Sequence, residues 1–128
     1  MHVLYLVLFI FYGCSFRYSW EGYLNRCRVE LNLRKEKFAH YLKKAENLLK
    51  RGKYEDALRE YRLLWLVDSG NAEVKRGLKD CLWEKVKRVK KEDKESLYLK
   101  RKLLYQILVV TPQDEKAKRE VEQVEKIL

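Results

Sequence analysis

From Phe38 to Leu128, apolar side chains recur at three- and four-residue spacing, and only short polar stretches break the rhythm. That spacing is the signature of a helix with 3.6 residues per turn; a strand would alternate every second residue. The breaks fall at Arg51-Gly52, at Asp68-Ser69-Gly70, at Lys91 to Glu95 and at Thr111-Pro112. The chain therefore reads as a set of helices with very short connections. Five glycines and one proline in 128 residues leave little material for long loops or disorder. One all-α domain over residues 38–128 is the expectation.

Each predicted helix has a face and an end. The first carries Phe38, Tyr41, Leu42, Ala45, Leu48 and Leu49 on one side and stops at a basic turn followed by Gly52. The second carries Tyr54, Ala57, Leu58, Tyr61, Leu64 and Trp65. Asn71 is placed to cap the third, whose face holds Val74, Leu78, Cys81, Leu82, Val86 and Val89. The fourth points Leu97, Leu104, Ile107 and Leu108 inward. Thr111 is expected to cap the last helix, with Pro112 at its first position, where the missing N–H costs nothing. That helix shows one narrow stripe, Ala117, Val121, Val124 and Leu128, as a lid over the end of a stack would.

Residues 14–37 send two signals. Trp20, Leu24, Cys27 and Leu31 stand at helical spacing, whereas Val29, Leu31 and Leu33 alternate. A single strand would have nothing to pair with, so helix is the reading.

The net charge of +10 favours acidic partners: nucleic acid, an anionic membrane face or an acidic protein. Most of the charge is interleaved, as in Lys90-Lys91-Glu92-Asp93-Lys94-Glu95, which marks solvated helix faces. Tyrosines and tryptophans among the cations permit nucleic-acid binding, but no recognisable motif for it is present.

Residues 38–71 resemble one unit of the tetratricopeptide repeat (TPR), a 34-residue helix hairpin. Tyr41 stands at the aromatic that opens the first helix. Ala45 and Ala57 hold the two small positions where the helices cross, and Leu48 and Tyr61 hold the large positions that follow them. Gly52-Lys53-Tyr54 matches the family's Gly-x-Tyr turn. Lys44 replaces the early leucine, Leu64 an alanine and Ser69 the usual proline. Residues 72–113 form a poorer, longer second unit, with Lys100 at the crossing alanine and no glycine turn. The resemblance implies antiparallel helix hairpins coiled into a right-handed superhelix, closed by a C-terminal capping helix. It also implies a groove that holds a protein or peptide. The groove positions it points to are Leu42, Glu46, Leu49, Arg76, Asp80 and Trp83, with Trp83 as the candidate anchor.

Val3 to Tyr12 is an uncharged apolar run about half the length needed to span a bilayer. It suits the apolar region of a secretory signal. With Gly13-Cys14 behind it, the segment resembles a bacterial lipoprotein signal. Phe11 and Tyr12 depart from that family's preferred leucine and small residue, and the usual early Lys or Arg is absent. The resemblance implies a cleaved signal peptide at residues 1–13 and acyl chains (diacylglyceryl, palmitate-type) on Cys14. It places the protein in the cell envelope, on the periplasmic or extracellular side of a membrane. If Cys14 is acylated, Cys27 and Cys81 remain. They are either a disulfide formed in an oxidising compartment or two thiols on apolar helix faces.

Little else in the chain speaks of chemistry. His2 and His40 stand alone. There is no Gly-rich phosphate loop, no Ser-centred nucleophile motif and no Cys/His spacing for a metal. No catalytic residue, metal or cofactor is predicted. The expected function is a non-enzymatic protein-interaction scaffold, lipid-anchored in the envelope and serving the assembly of a complex there. The alternative is an intracellular basic helical protein that binds nucleic acid or another acidic partner.

Overall fold

Each polar break in the apolar rhythm falls at a link between two helices, but the one expected at Lys91 to Glu95 is shifted: the link is residues 89–93, and Lys94 and Glu95 already belong to the helix that follows. The computed structural model describes residues 21–128, and among them the chain is all helical. Helix α1 covers residues 21–36 of the described chain. It is followed by α2 (Phe38–Lys50), α3 (Tyr54–Val67), α4 (Ala72–Arg88), α5 (Lys94–Val110) and α6 (Glu115–Ile127). From α2 onward, each helix packs on the next, and α2 also touches α4. The links between these helices are three to five residues long, so packed neighbours fold back on one another. The signal segment 1–13, Cys14 and Trp20 lie outside the described residues.

Local chemistry explains the ends. Gly52 adopts φ +76°, which a residue with a Cβ rarely does. The turn there lets Gly52 N–H donate to Leu49 O at 3.1 Å and Lys53 N–H donate to Leu48 O at 3.0 Å. This is the Schellman pattern, which satisfies the last carbonyls of α2. Asn71 Oδ1 accepts from the N–H groups of Glu73 and Val74 at 3.0 and 3.1 Å and so caps α4.

At α6 the sequence reading is corrected. The cap is Asp114, whose Oδ1 accepts from Ala117 N–H at 3.1 Å. Thr111 instead starts a turn, its carbonyl accepting from Asp114 N–H at 3.2 Å. Pro112 takes the second position of that turn, which its fixed φ also suits. Leu128 lies beyond α6 and is exposed, so the inward stripe is Ala117, Val121 and Val124.

The core follows the predicted faces. Ala45 and Ala57 are fully buried where α2 meets α3, and Leu58, Tyr61 and Leu64 extend that contact. Val74, Leu78, Cys81 and Leu82 continue it along α4, and Leu104 and Ile107 along α5. Burying each large aliphatic side chain contributes roughly 1.5–3 kcal/mol. On α5, Leu103 and Val110 are buried as well, while Leu108 is only half-buried.

Helix α1 is held differently. Among its described residues only Arg34 is buried. Arg34 Nε donates to Glu60 Oε2 at 3.0 Å and Nη2 donates to Oε1 at 2.9 Å. Nη1 donates to Glu30 O at 2.9 Å and also to the Glu30 carboxylate. The guanidinium lies 4.6 Å from the centre of the Tyr41 ring. One side chain thus joins α1, α2 and α3. Burial pulls the Arg34 pKa down, but Glu60 and Glu30 outweigh it and hold the pKa above its ordinary value.

Candidate functional site: the face shared by α2 and α4

The contact between α2 and α4 leaves a depression of about 170 Å³. Its walls include Glu46 and Leu49 from α2 and Arg76 and Asp80 from α4, with Tyr61 and Gly77 between them. A second depression, about 290 Å³, shares Arg76 and Asp80 and runs on past Ala72 and Lys79 to Thr111. Four of the six residues expected in a groove therefore lie around one concavity. Leu42 and Trp83 do not; both are half-buried and pack against the core. Lys116 Nζ sits 4.6 Å from the centre of the Trp83 ring, so α6 already engages this side chain.

Tyr61 and Gly77 set the depth. The Tyr61 ring lies directly on the α4 backbone at Gly77. A Cβ there would stand 2.1 Å from Cζ and 2.6 Å from the hydroxyl oxygen. Only glycine permits this approach without a shift. Burial and then the carboxylate of Glu46, with Cys81 and Asp80 adding less, push the phenol pKa well up. Tyr61 therefore stays a neutral hydroxyl, able to donate or accept a hydrogen bond. Next to it, Cys81 is fully buried, and burial followed by Asp80 pushes its thiol up to about 12. Such a thiol is no nucleophile near neutral pH.

The rest of the face is ionic. Lys79 Nζ lies 3.0 Å from Asp114 Oδ2, which ties α4 to the cap of α6. Burial alone would raise the Asp114 pKa. The Ala117 N–H and the Lys79 ammonium outweigh it and hold the carboxyl below its ordinary range. Glu46, Arg76 and Asp80 form no ion pair among the described residues. The face thus offers three carboxylates (Glu46, Glu73 and Asp80), the Arg76 guanidinium and the Lys50 ammonium around Leu49 and Tyr61, suited to holding a polypeptide with both polar and apolar groups.

The other singled-out residues lie apart. Cys27 on α1 is half-buried, and both Cys27 and Cys81 are free thiols, so the disulfide alternative is not formed. His40 is exposed, its ring 5.4 Å from that of Tyr41 and edge-on to it. Among the described residues, no group of three or more His, Cys, Asp or Glu stands placed to hold a metal. Among them too, no helix is long and apolar enough to cross a membrane.

Two central features escaped the sequence reading. Arg34 extends the Leu24-Cys27-Leu31 stripe by three residues, which marks an inward position. Gly77 falls beside Val74, Leu78 and Cys81 on the inner side of a helix, where glycine signals a close approach. No protein-family model matches the chain, and neither a curated protein nor a solved structure does.

Proposed function

We propose that this chain is a non-enzymatic interaction scaffold of the TPR type. Its helix hairpins stack as a right-handed superhelix, with α6 as the capping helix. A segment of a partner protein lies along the face of α2 and α4. The chain is exported and held at a membrane of the cell envelope by acyl chains on Cys14.

The observation that carries this reading is the convergence of Glu46, Leu49, Arg76 and Asp80 on one concavity. Those residues come from helices that are not neighbours in sequence, and the TPR register marks the same positions as groove-lining. The direct contact of α2 with α4 and the fully buried Ala45 and Ala57 also favour hairpin stacking. The apolar run ahead of Gly13-Cys14 favours lipidation.

Site-specific photo-crosslinking in the native cell tests the groove. Probes replacing Leu49 and Arg76 should each trap the same protein, and a probe at Arg59, on the exposed side of α3, should not. Charge reversal at Asp80 should weaken both adducts. Equal trapping at all three positions would sink the groove assignment. The intact mass of the membrane-derived protein, beside a Cys14→Ser variant, tests the anchor. A full-length, unmodified chain would refute it.

A further inference from the structure

The positive charge is unevenly placed. Residues 21–53 hold ten Lys and Arg against four Asp and Glu, a net +6, while residues 54–128 hold eighteen against fifteen, a net +3. The excess lies on α1, α2 and the turn that follows. The outward side of α2 has a shallow depression of about 360 Å³ walled by His40, Lys43, Lys44, Asn47, Leu48 and Arg51. Lys44 reaches Glu60 at 3.8 Å. Lys43, Arg51 and Lys53 pair with no carboxylate among the described residues, and Lys50 lines the concavity shared with α4 instead. The one acid of α2, Glu46, is turned to the concavity shared with α4 and leaves this side uncompensated. Elsewhere several cations are answered within their own helix, as Lys87 is by Glu84 and Lys118 by Glu115.

Helix α1 adds apolar groups to this charge. Arg26, Val29 and Leu33 stand at three- and four-residue spacing on one exposed stripe, with Val29 58% and Leu33 38% accessible. Lys37 follows four residues later, at the junction with α2. Phosphodiester backbone would engage the cations and leave Val29 and Leu33 without a partner. The boundary between lipid headgroups and acyl chains takes both kinds of group at once.

We propose that the outward faces of α1 and α2 form a docking surface for an anionic lipid bilayer. Lys43, Arg51 and Lys53 supply the electrostatic attraction, and Val29 and Leu33 enter the headgroup boundary. The surface needs neither an acyl chain on Cys14 nor an occupant in the groove, so its failure would leave the scaffold reading standing. With both in force, the bilayer holds the α1–α2 edge and leaves the concavity between α2 and α4 accessible.

The test is vesicle co-sedimentation of the full chain. Vesicles of phosphatidylcholine alone read any contribution of the apolar N-terminal run. Vesicles with added phosphatidylglycerol read the charge. The wild type should prefer the anionic vesicles, and the preference should fade as salt rises past the range where the Debye length is ~10 Å. Replacing Lys43, Arg51 and Lys53 together by Gln should lower anionic-vesicle partitioning roughly fivefold per cation, and so by about 100-fold. A variant with Lys90, Lys91 and Lys94 replaced by Gln has the same net charge and should bind nearly as the wild type. All six replaced side chains are exposed, so both variants should keep the wild-type circular-dichroism spectrum. Equal binding to neutral and anionic vesicles would overturn the proposal. So would an equal loss in the two variants, or binding to random DNA with the same three-cation dependence and none to vesicles.

Discussion

Replacing Gly77 by Ala should destabilise the protein, although the same change in an exposed helix would stabilise it. Helix propensity alone favours Ala by ~1 kcal/mol. Against this, the new methyl would stand 2.1 Å from Tyr61 Cζ, where ordinary contact begins near 3.4 Å. The ring must therefore move by more than about 1 Å, yet Tyr61 is only 1% exposed. Overpacking of this kind costs about 1–3 kcal/mol, and the depth of the clash argues for the upper end. The expected net loss is ~2 kcal/mol, which lowers the Tm by ~8–16 °C for a domain of this size. The decisive assay is a double-mutant cycle read by thermal unfolding. In a Tyr61→Leu background the clash is relieved, and Gly77→Ala should raise the Tm by ~4–8 °C as the propensity term emerges. A change of sign between the two backgrounds is the specific claim. A Gly77→Ala protein as stable as the wild type, or the same loss in both backgrounds, would refute it. There is a functional corollary. The ring's open direction leads into the concavity it already lines, so relaxation that way should also weaken whatever binds there.

Three further outcomes follow from the same geometry. Glu60→Ala leaves the buried Arg34 charge without its main partner and should cost ~3–5 kcal/mol, while an Arg34→Met/Glu60→Leu double variant should recover most of the loss in denaturant titrations. Asp114→Asn should destabilise modestly at neutral pH. Because the folded-state pKa of Asp114 is depressed, its contribution is full above the ordinary carboxylate value of about 3.9 and is lost as pH falls through the lower folded value. The gap between the two proteins in urea midpoints should therefore hold from neutral pH down to that value and close below it. Native Cys81 should resist a thiol-specific reagent at mildly alkaline pH, whereas Cys27 labels and denaturant exposes both, as peptide mass mapping would report. Labelling of Cys81 at the rate of Cys27 would show that α4 opens locally rather than staying packed.

The features legible in the sequence are those that one helix decides alone. The period of three and four places Ala45, Leu58, Leu82 and Ile107 inward whatever their neighbours are, because an apolar stripe must be covered by something. Gly52 and Asn71 act on backbone groups within a few residues, and their roles were readable for that reason. The start of α6 was misread because Thr111 and Asp114 are both competent caps and Pro112 suits either arrangement. In the structure Asp114 has a charge partner, Lys79, on another helix, and no local pattern reports such a partner. The same logic covers the concavity. Glu46, Leu49, Arg76 and Asp80 sit at the edges of apolar stripes, and which edge faces a neighbour depends on how α2 and α4 approach. Between these two helices Tyr61 of α3 lies on Gly77 of α4, a contact between one large and one absent side chain. Leu42 and Trp83, at comparable edge positions, turn to the core and to Lys116 instead. Helix α1 is the extreme case. It buries no broad apolar stripe, and its attachment rests on the non-local match of Arg34 with Glu60. A charged residue on an inward stripe is therefore the signal to search for its partner elsewhere in the chain. Here that search would have led from Arg34 to Glu60, which lies on the inner face of α3 with Ala57, Tyr61 and Leu64.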